Sequence, residues 1–317
     1  MTTDLLRIAP TVAAALAAGR PVVALETTLV THGLPHPDGL AVAADLERIV
    51  AAAGATPATI GILDGVVRVG LDAAELGRLA ATPGVAKVNP GNLAAVLAAG
   101  GCGSTTVAAT LLAADRAGIR VFATGGIGGV HRRAEVTGDV SADLIALARH
   151  RVAVVCAGAK AVLDLPRTLE MLETLGVPVI GLGTDEFPAF YSRSSGLPVD
   201  RRCADAAAVA RAIRRHFEIG PGTGLVVANP IPADHELPAA EVEAAVERAL
   251  AEAAERGVRG RDVTPFLLER LRGLTEGRTV AVNRALLESN AAVAAALARE
   301  LARPEPPPPA PAAGRGR

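Results

Sequence analysis

The chain alternates short apolar runs with longer segments whose apolar residues recur every three or four positions. The clearest short runs lie at 21–25 (PVVAL), 121–124 (VFAT), 152–156 (VAVVC), 177–182 (VPVIGL) and 224–228 (GLVVA). Uninterrupted runs of this kind are typical of strands buried on both faces, and their alternation with helical segments indicates βαβ units. We therefore expect an α/β protein with one large α/β/α domain over residues 1–303 and a mixed, mostly parallel central sheet.

Turn and capping residues predict several boundaries. In the segment 59–70 (TIGILDGVVRVG), Asp64-Gly65 separates two β-rich runs. This arrangement predicts a hairpin, which makes the sheet mixed. Asp72 followed three residues later by Glu75 predicts a capping box, and Ser141 is expected to cap the helix that follows it.

Helical periodicity is strongest in the second half of the chain. Helices are predicted over 38–53, 204–217, 239–255, 262–274 and 279–301. One more helix is expected to begin near Ser104-Thr105-Thr106, directly after the glycine-rich stretch 100–103. The last segment, 304–317, is rich in proline without apolar periodicity, and we expect it to form a disordered tail.

Composition narrows the functional class. Thirty-two basic residues against 33 acidic ones give a net charge of -1, and aromatic residues make up 2% of the chain. Neither a strong positive field nor a stacking surface for bases is indicated, so we expect no nucleic-acid partner. No run of about 18 apolar residues suggests a membrane span. The three cysteines have no CxxC spacing, so disulfides and zinc are disfavoured and a reducing cytoplasm is expected.

Polar residues that could carry chemistry follow the predicted strands. Lys160 comes just after the run 152–156, where a lysine either extends to the surface or is desolvated as a neutral nucleophile. The loop Gly125-Gly126-Ile127-Gly128-Gly129 could hold an anion or a sugar, or could be a structural turn, and it does not match GxGxxG. Glu26, at the end of another strand, could act as a general acid or as the partner of a buried threonine.

Two carboxylates could bind a metal. Asp139 and Asp143 are four residues apart and could give oxygen ligands to a hard divalent ion. Because no His or Cys cluster accompanies them, Mg²⁺ or Mn²⁺ suits the pair better than Zn²⁺. The alternative is that both carboxylates only complement the dipole of the helix that begins nearby.

Several long strings, in order, resemble one known family, the pseudouridine-5′-phosphate glycosidases of the indigoidine-synthase-A-like group. They are ALETTLVTHGLP (24–35), PATIGILDG (57–65), TTVAAT (105–110), VFATGGIGGVHR (121–132), DVSADL (139–144), VAVVCAGAK (152–160), TDEFPAFY (184–191) and ANPIP (228–232). The resemblance extends over about residues 20–300. It implies reversible cleavage of the C–C glycosidic bond of pseudouridine 5′-phosphate to uracil and ribose 5-phosphate. It also implies a homotrimer that uses Mn²⁺, with Mg²⁺ as the alternative ion, and a role in pseudouridine degradation.

The resemblance also implies roles for individual residues. Glu26 matches the family's proton donor, Lys160 its covalent nucleophile and Asp139 its metal ligand. Positions that match substrate-binding residues are Lys87, Val107, Ser141, Ala142 and Asp143, and two further candidates are His131 and Asn283.

The chain departs from the family pattern at two places. After Lys87 the family usually continues with a basic and acidic run, where this chain has Asn89-Pro90-Gly91-Asn92, and Ser104 stands where a smaller residue is usual. The first departure leaves open a second hypothesis, that the fold acts on another C-glycoside or on a substrate without phosphate. A third hypothesis is a non-catalytic sugar-phosphate-binding protein, which would need neither Glu26 nor Lys160.

Overall fold

A computed structural model describes residues 5–33, 38–258 and 263–304. Within this part of the chain the strands are β1 (Leu6–Ile8), β2 (Val22–Leu25), β3 (Thr56–Leu63), β4 (Val66–Val69), β5 (Ala86–Val88), β6 (Gly103–Thr105), β7 (Val121–Ala123), β8 (Ala153–Cys156), β9 (Val179–Leu182), β10 (Arg201–Cys203) and β11 (Leu225–Ala228). They all belong to one sheet.

The helices of the described residues lie between and after these strands. They are α1 (Pro10–Ala17), α2 (Asp38–Ala52), α3 (Ala73–Ala81), α4 (Leu93–Ala98), α5 (Val107–Ala117), α6 (Ala134–Thr137), α7 (Ala142–Arg149), α8 (Leu165–Thr174), α9 (Ala206–Ile219), α10 (Ala239–Glu255), α11 (Val263–Leu274) and α12 (Arg278–Ala302). A π-helical turn covers Leu29–Gly33 and a 3₁₀ turn covers Ala233–His235. None of these helices combines the length and the apolar character that crossing a membrane requires.

The main path of the sheet has the order β1-β4-β3-β2-β7-β8-β11-β9-β10, with β6 joined to β3 and β5 joined to β6. All strand pairs are parallel except β3 with β4 and β3 with β6. The expected α/β fold with a mixed, mostly parallel sheet is therefore confirmed.

The order of the strands reverses between β2 and β7. On one side of this point the sheet continues with β3, and on the other with β8. In open parallel sheets, ligands bind beyond the carboxyl ends of the strands at such a reversal, because the connecting helices diverge there and leave a crevice. The topology thus directs attention to the residues that follow β2, β7 and β8.

The predicted hairpin and both predicted caps are confirmed. Asp64 and Gly65 connect β3 to β4 with positive φ angles of 53° and 71°, which a tight turn between right-twisted strands requires. Asp72 and Glu75 form a capping box at the start of α3, and the Ser141 hydroxyl accepts the Asp143 amide at the start of α7. These local signals predict boundaries well because each depends on residues a few positions apart.

The helix expected to begin near Ser104-Thr105-Thr106 starts at the end of that range. Residues Gly103–Thr105 form β6, and α5 begins only at Val107, capped by the Thr106 side chain. The strand is stabilised by a distant partner, since the Thr105 hydroxyl donates to the Ile60 carbonyl at 2.7 Å. The short elements β1, β10, α4 and α6 were not predicted, because three to six residues carry too little periodicity.

Two predictions lie partly outside the described residues. These are the disordered tail from residue 305 onward and the predicted start of a helix at Asp262. The limits of the 1–303 domain therefore stay a prediction.

Helix α12 fixes the end of β7 through a buried amide. It packs against α2 and α9 and across β2, β7 and β8. Asn290, 1% exposed, donates to the Thr124 carbonyl at 2.8 Å and accepts from the Asn229 amide, also at 2.8 Å. A polar side chain this deeply buried has to be hydrogen-bonded, and here it joins the end of β7 to the loop after β11.

Replacing Asn290 with leucine should destabilise the protein by about 2–4 kcal/mol, because two buried polar groups lose their partner. Chemical denaturation would measure the free energy of unfolding. Ser289→Ala is the matched control on the same helix. It removes only one of the two acceptors of the Asn229 amide and should cost less than about 1 kcal/mol. Equal losses in the two variants would contradict the role given to Asn290.

Candidate active site

Three neighbouring strand ends supply the centre of the site. Glu26 directly follows β2, Thr124 directly follows β7, and Lys160 follows β8 after a short turn. Since β2, β7 and β8 are adjacent and parallel, these side chains emerge at the same edge of the sheet. They line a cavity of about 530 Å³.

Every residue to which the sequence assigned a catalytic, substrate-binding or metal-binding role lines this one cavity. Besides Glu26 and Lys160 these are Lys87, Val107, His131, Asp139, Ser141, Ala142, Asp143 and Asn283. They come from places as far apart as residues 26 and 283, so only the fold brings them together. Their separate roles stay predictions.

Glu26 is a partly buried acid with one hydroxyl partner. The Thr124 hydroxyl donates to its carboxylate. Burial raises the pKa of Glu26 above its ordinary value, while the nearby Lys160 ammonium and the Thr124 hydrogen bond act in the opposite direction. The negative charge of Asp143 adds to the increase. A carboxyl group in this environment retains its proton to higher pH than an exposed glutamate and is suited to general-acid chemistry.

Lys160 points towards the glycine-rich loop. Its Nζ donates to the Gly126 carbonyl oxygen at 2.8 Å, and its backbone amide donates to the Ile127 carbonyl at 3.0 Å. The side chain is only partly buried and reaches the cavity. The loop thus holds both the backbone and the amine of Lys160.

The glycine-rich loop packs closely against neighbouring side chains. The Ile127 amide donates to the Gly158 carbonyl and the Gly128 amide to the Asp143 carboxylate, so neither is available to an anion. A Cβ atom on Gly128 would lie 2.2 Å from the Ser141 hydroxyl oxygen, and one on Gly129 would lie 2.3 Å from the Thr168 hydroxyl oxygen. Of the two alternatives left open by the sequence, the structural turn fits these contacts.

Two helices direct their N-termini at the cavity. Val107 begins α5, and Ala142 begins α7. Asp143 of α7 is 5% exposed and connects this helix to α5 and to the glycine-rich loop. One of its carboxylate oxygens accepts the Ala108 amide at 2.9 Å, and the other accepts the Gly128 amide at 2.7 Å. With Lys87 on the same wall, this region can bind an anionic group.

His131 and Asp139 face each other across a small hairpin-like pairing. Val130 bridges to Val140, and His131 Nδ1 lies 3.8 Å from an Asp139 carboxylate oxygen. Burial lowers the pKa of His131, Asp139 opposes this change, and the charges of Lys160 and Lys87 add to it. The imidazole is therefore biased towards its neutral form.

The donor set suits only a hydrated hard ion. Among the described residues no group of three or more His, Cys, Asp or Glu side chains could enclose a metal. Both oxygens of Asp143 already accept backbone amides, which leaves this carboxylate fewer free acceptor positions for an ion. One carboxylate in an open polar pocket fits Mg²⁺ or Mn²⁺, which retain much of their water, and does not fit a structural Zn²⁺ site.

The sequence did not single out His32. It lies on the π-helical turn after β2 and lines the cavity. Its Nδ1 is 2.6 Å from the Thr31 hydroxyl, which in turn bonds the buried Ser104 hydroxyl. Burial and the positive charge of Lys87 both lower the pKa of His32. Ser104, a departure from the family pattern, thus supports this turn.

The unusual loop after Lys87 also borders the cavity. Asn89, Gly91 and Asn92 line it. The side-chain amide nitrogen of Asn92 donates to the Lys87 carbonyl at 3.0 Å. Its side-chain oxygen accepts the backbone amide of Asn89 at 2.9 Å. Neutral amides thus stand in the cavity wall that follows Lys87.

Other lining residues that the sequence did not single out include Thr28, Thr124, Phe190, Thr264, Pro265 and Leu268. They come from separate loops and from α11, so no local spacing connects them. The FPAFY string was the only signal that pointed towards Phe190.

Comparison with known proteins agrees with this geometry. The chain is 60% identical over 300 residues to the pseudouridine-5′-phosphate glycosidase of Rhodospirillum centenum, covering 95% of this chain and 93% of the relative. It is 54% identical over 296 residues to the enzyme of the same name from Sorangium cellulosum, covering 93% of each chain.

Solved structures with the same fold are equally extensive matches. The prealnumycin C-glycosynthase AlnA, in complex with ribulose 5-phosphate, superposes with a TM-score of 0.88 at 41% identity, covering 95% of this chain and 98% of that one. An indigoidine synthase A-like protein of Thermotoga maritima superposes with a TM-score of 0.86 at 37% identity, covering 94% and 97%. The family model described as indigoidine synthase A like protein matches residues 11–300. The chain therefore belongs to the indigoidine synthase A-like family.

Proposed function

We propose that this protein is an enzyme that reversibly cleaves the C–C glycosidic bond of pseudouridine 5′-phosphate, giving uracil and ribose 5-phosphate. The observation that carries the proposal is the placement of a partly buried acid, Glu26, and an amine, Lys160, at the ends of strands β2 and β8 in one cavity. The identity to pseudouridine-5′-phosphate glycosidases over nearly the whole chain supports the same substrate.

The bond to be broken explains why an acid and an amine are needed. A base attached through carbon is a poor leaving group, so the two-carboxylate route of ordinary glycosidases is unsuited to it. Protonation of the ribose ring oxygen opens the sugar and leaves C1′ electrophilic and conjugated to uracil. Glu26 gives that proton, and the neutral amine of Lys160 adds to C1′.

Release of the base completes the cycle. The secondary ammonium formed by the addition loses a proton to the Glu26 carboxylate, which gives it to C5 of uracil. The C1′–C5 bond then breaks as the electron pair of the Lys160 nitrogen forms an iminium with C1′. Water adds to the iminium and frees ribose 5-phosphate and the amine. The hydrogen bond from Lys160 to the Gly126 carbonyl holds the amine at the cavity wall before it reacts.

The charge distribution suggests how the substrate lies. The phosphate is expected near Lys87 and the N-termini of α5 and α7, where Val107, Ser141 and Ala142 line the cavity. Asn283 and His131 are then left to contact the base and the sugar. Asp139 would hold Mn²⁺ or Mg²⁺ through one carboxylate. The bound ion would supply positive charge close to the phosphate.

A related activity remains as the second candidate. The neutral amides of Asn89 and Asn92 in the wall beside Lys87 favour altered recognition of the phosphate end. The similar fold of a C-glycosynthase indicates that this architecture accommodates more than one C-glycoside. Binding of ribose without binding of ribose 5-phosphate would support this second candidate. A purely binding function is disfavoured, because binding alone needs neither Glu26 nor Lys160.

The homotrimer, the cytoplasmic location and a role in pseudouridine degradation stay predictions. Val136, Val140 and Ile145 are large apolar side chains that remain 40–76% exposed within ten positions of the chain. Since Val140 also lines the cavity, a subunit contact at these residues would lie close to the site.

Lys160→Ala should lower the rate of cleavage by about 10⁴-fold or more while leaving the fold intact, because the nucleophile is lost. Incubation with Mn²⁺, uracil and ribose 5-phosphate followed by borohydride should place a sugar-phosphate adduct on the Lys160 peptide of the unmodified protein, detected by mass spectrometry. Lys160→Arg keeps the positive charge but cannot add to C1′, so it should be equally inactive. Substantial turnover in either variant would exclude the covalent route.

The kcat/KM for cleavage should fall as pH rises through the raised pKa of Glu26, because only the protonated carboxyl can donate. The Thr124 hydroxyl favours the charged form, so Thr124→Val should raise this pKa further and move the alkaline limb to higher pH. Measured pH profiles would detect the change.

Thr28→Val is the matched control, since the Thr28 hydroxyl lines the same cavity but donates to the Thr105 carbonyl. Its alkaline limb should stay in place. Identical pH profiles for the Thr124→Val variant and the unmodified protein would show that Glu26 is not the proton donor. An active Glu26→Gln variant would show the same.

Asp139→Ala should weaken Mn²⁺ binding by at least about tenfold, because the site offers one carboxylate to the ion. Titration of Mn²⁺ followed by electron paramagnetic resonance reports binding without any assay of activity. Asp185→Ala removes an exposed carboxylate paired with Arg202 and should leave binding unchanged. An unaltered affinity in the Asp139 variant would exclude it as a ligand.

A further inference from the structure

Phe190 has a backbone conformation that aromatic residues rarely adopt. Its φ angle is 66°, in the left-handed region, although its side chain is bulky and the residue is only 3% exposed. For a large side chain this region is a clear outlier, and such strain persists only where surrounding contacts enforce it. Here the Phe190 amide donates to the Ala157 carbonyl at 3.0 Å, just beyond the end of β8.

The strained backbone presses the ring against Gly126. A Cβ atom on Gly126 would lie 2.6 Å from two ring carbons of Phe190, so the ring rests directly on the glycine. Tyr191 packs edge-on against the same ring, with centroids 4.7 Å apart and planes at 74°. The ring therefore has a fixed position, and it also lines the cavity.

Gly126 is the residue whose carbonyl holds the Lys160 amine, at 2.8 Å. On either side of that carbonyl the loop is fixed by the Ala157 amide, which donates to the Gly125 carbonyl, and by the Ile127 amide, which donates to the Gly158 carbonyl. These bonds hold the two peptides that flank Gly126, and the Phe190 ring adds a further restraint because it occupies the position that a Cβ on Gly126 would take. Glycine otherwise has wide backbone freedom.

We propose that Phe190 is a positioning residue for Lys160, because its ring packs against Gly126, whose carbonyl accepts the Lys160 amine. The inference rests on the proposed covalent role of Lys160. It explains why a strained aromatic residue stands where glycine would fit the backbone without cost, since glycine would leave Gly126 without this ring contact.

Three substitutions at Phe190 separate the ring from the strain. Phe190→Ala removes the ring and keeps a side chain at positive φ, whereas Phe190→Gly removes both. If the ring orients Lys160, both variants should lose kcat by about 10- to 100-fold with KM changed less than about threefold, as expected for a misplaced reacting group. Phe190→Tyr keeps the ring and should retain most of the kcat.

Phe187→Ala is the control for simple loss of a buried aromatic ring. Phe187 is fully buried three residues away and does not line the cavity. Its loss should lower thermal stability as Phe190→Ala does, yet leave kcat nearly unchanged at a temperature where both proteins are folded. If the two variants lose kcat equally, or if Phe190→Gly is as active as the unmodified protein, the positioning role is wrong.

A double substitution tests the contact with Gly126. Gly126→Ala alone should lower kcat strongly, because the new Cβ meets the ring. In the Phe190→Ala background the ring is absent and only the Gly158 carbonyl oxygen, 3.0 Å from the new Cβ, opposes the change. Gly126→Ala should then cost less than about threefold, a non-additivity typical of residues in contact. Additive losses would contradict the contact as the route to Lys160.

Borohydride trapping distinguishes this inference from the proposed function. If the unmodified protein forms no adduct on Lys160, the covalent function fails whatever Phe190 does. If it forms the adduct and Phe190→Ala forms it at an equal rate at saturating ribose 5-phosphate, only the positioning role fails. The expected result is an adduct in both proteins, formed about 10- to 100-fold more slowly in the variant.

Discussion

Parallel hydrogen bonding between β2, β7 and β8 is the constraint on which the cavity depends. It makes three strands end at one edge of the sheet, so that Glu26, Thr124 and Lys160 lie at the same opening. The reversal of strand order between β2 and β7 keeps the connecting helices apart and leaves space above that edge. Without this register Glu26 and Lys160 would not line the same cavity.

Close backbone packing then fixes the groups to within the precision that chemistry needs. The glycine-rich loop is pressed against Ser141, Thr168 and Phe190, with no room for a side chain. Asp143 joins this loop to the start of α5, and Asn290 of α12 holds the end of β7. Helices that are far apart in the sequence thus bond to the same few residues at the strand ends. A rigid scaffold supports a reactive site in this way.

Charge is distributed unevenly in the cavity. Burial keeps Glu26 inclined to hold its proton, and burial with nearby lysines keeps His131 and His32 inclined to stay neutral. The helix N-termini and Lys87 provide positive potential at one wall. An acid with a raised pKa and imidazoles with lowered pKa values, beside a cationic wall, suit a substrate that carries a phosphate at one end and undergoes proton transfers at the other.

The sequence by itself determined the α/β class, the hairpin at Asp64-Gly65, the capped helix starts and the family, because these depend on neighbouring residues or on long ordered strings. It also indicated the strand-end residues Glu26 and Lys160. Only the tertiary structure decided that the glycine-rich loop packs rather than binds an anion, that Ser104 belongs to a strand, and that Phe190 and His32 border the cavity. Those outcomes depend on partners tens of residues away, such as Thr105 with Ile60 and Gly126 with Phe190, and no local pattern records such contacts.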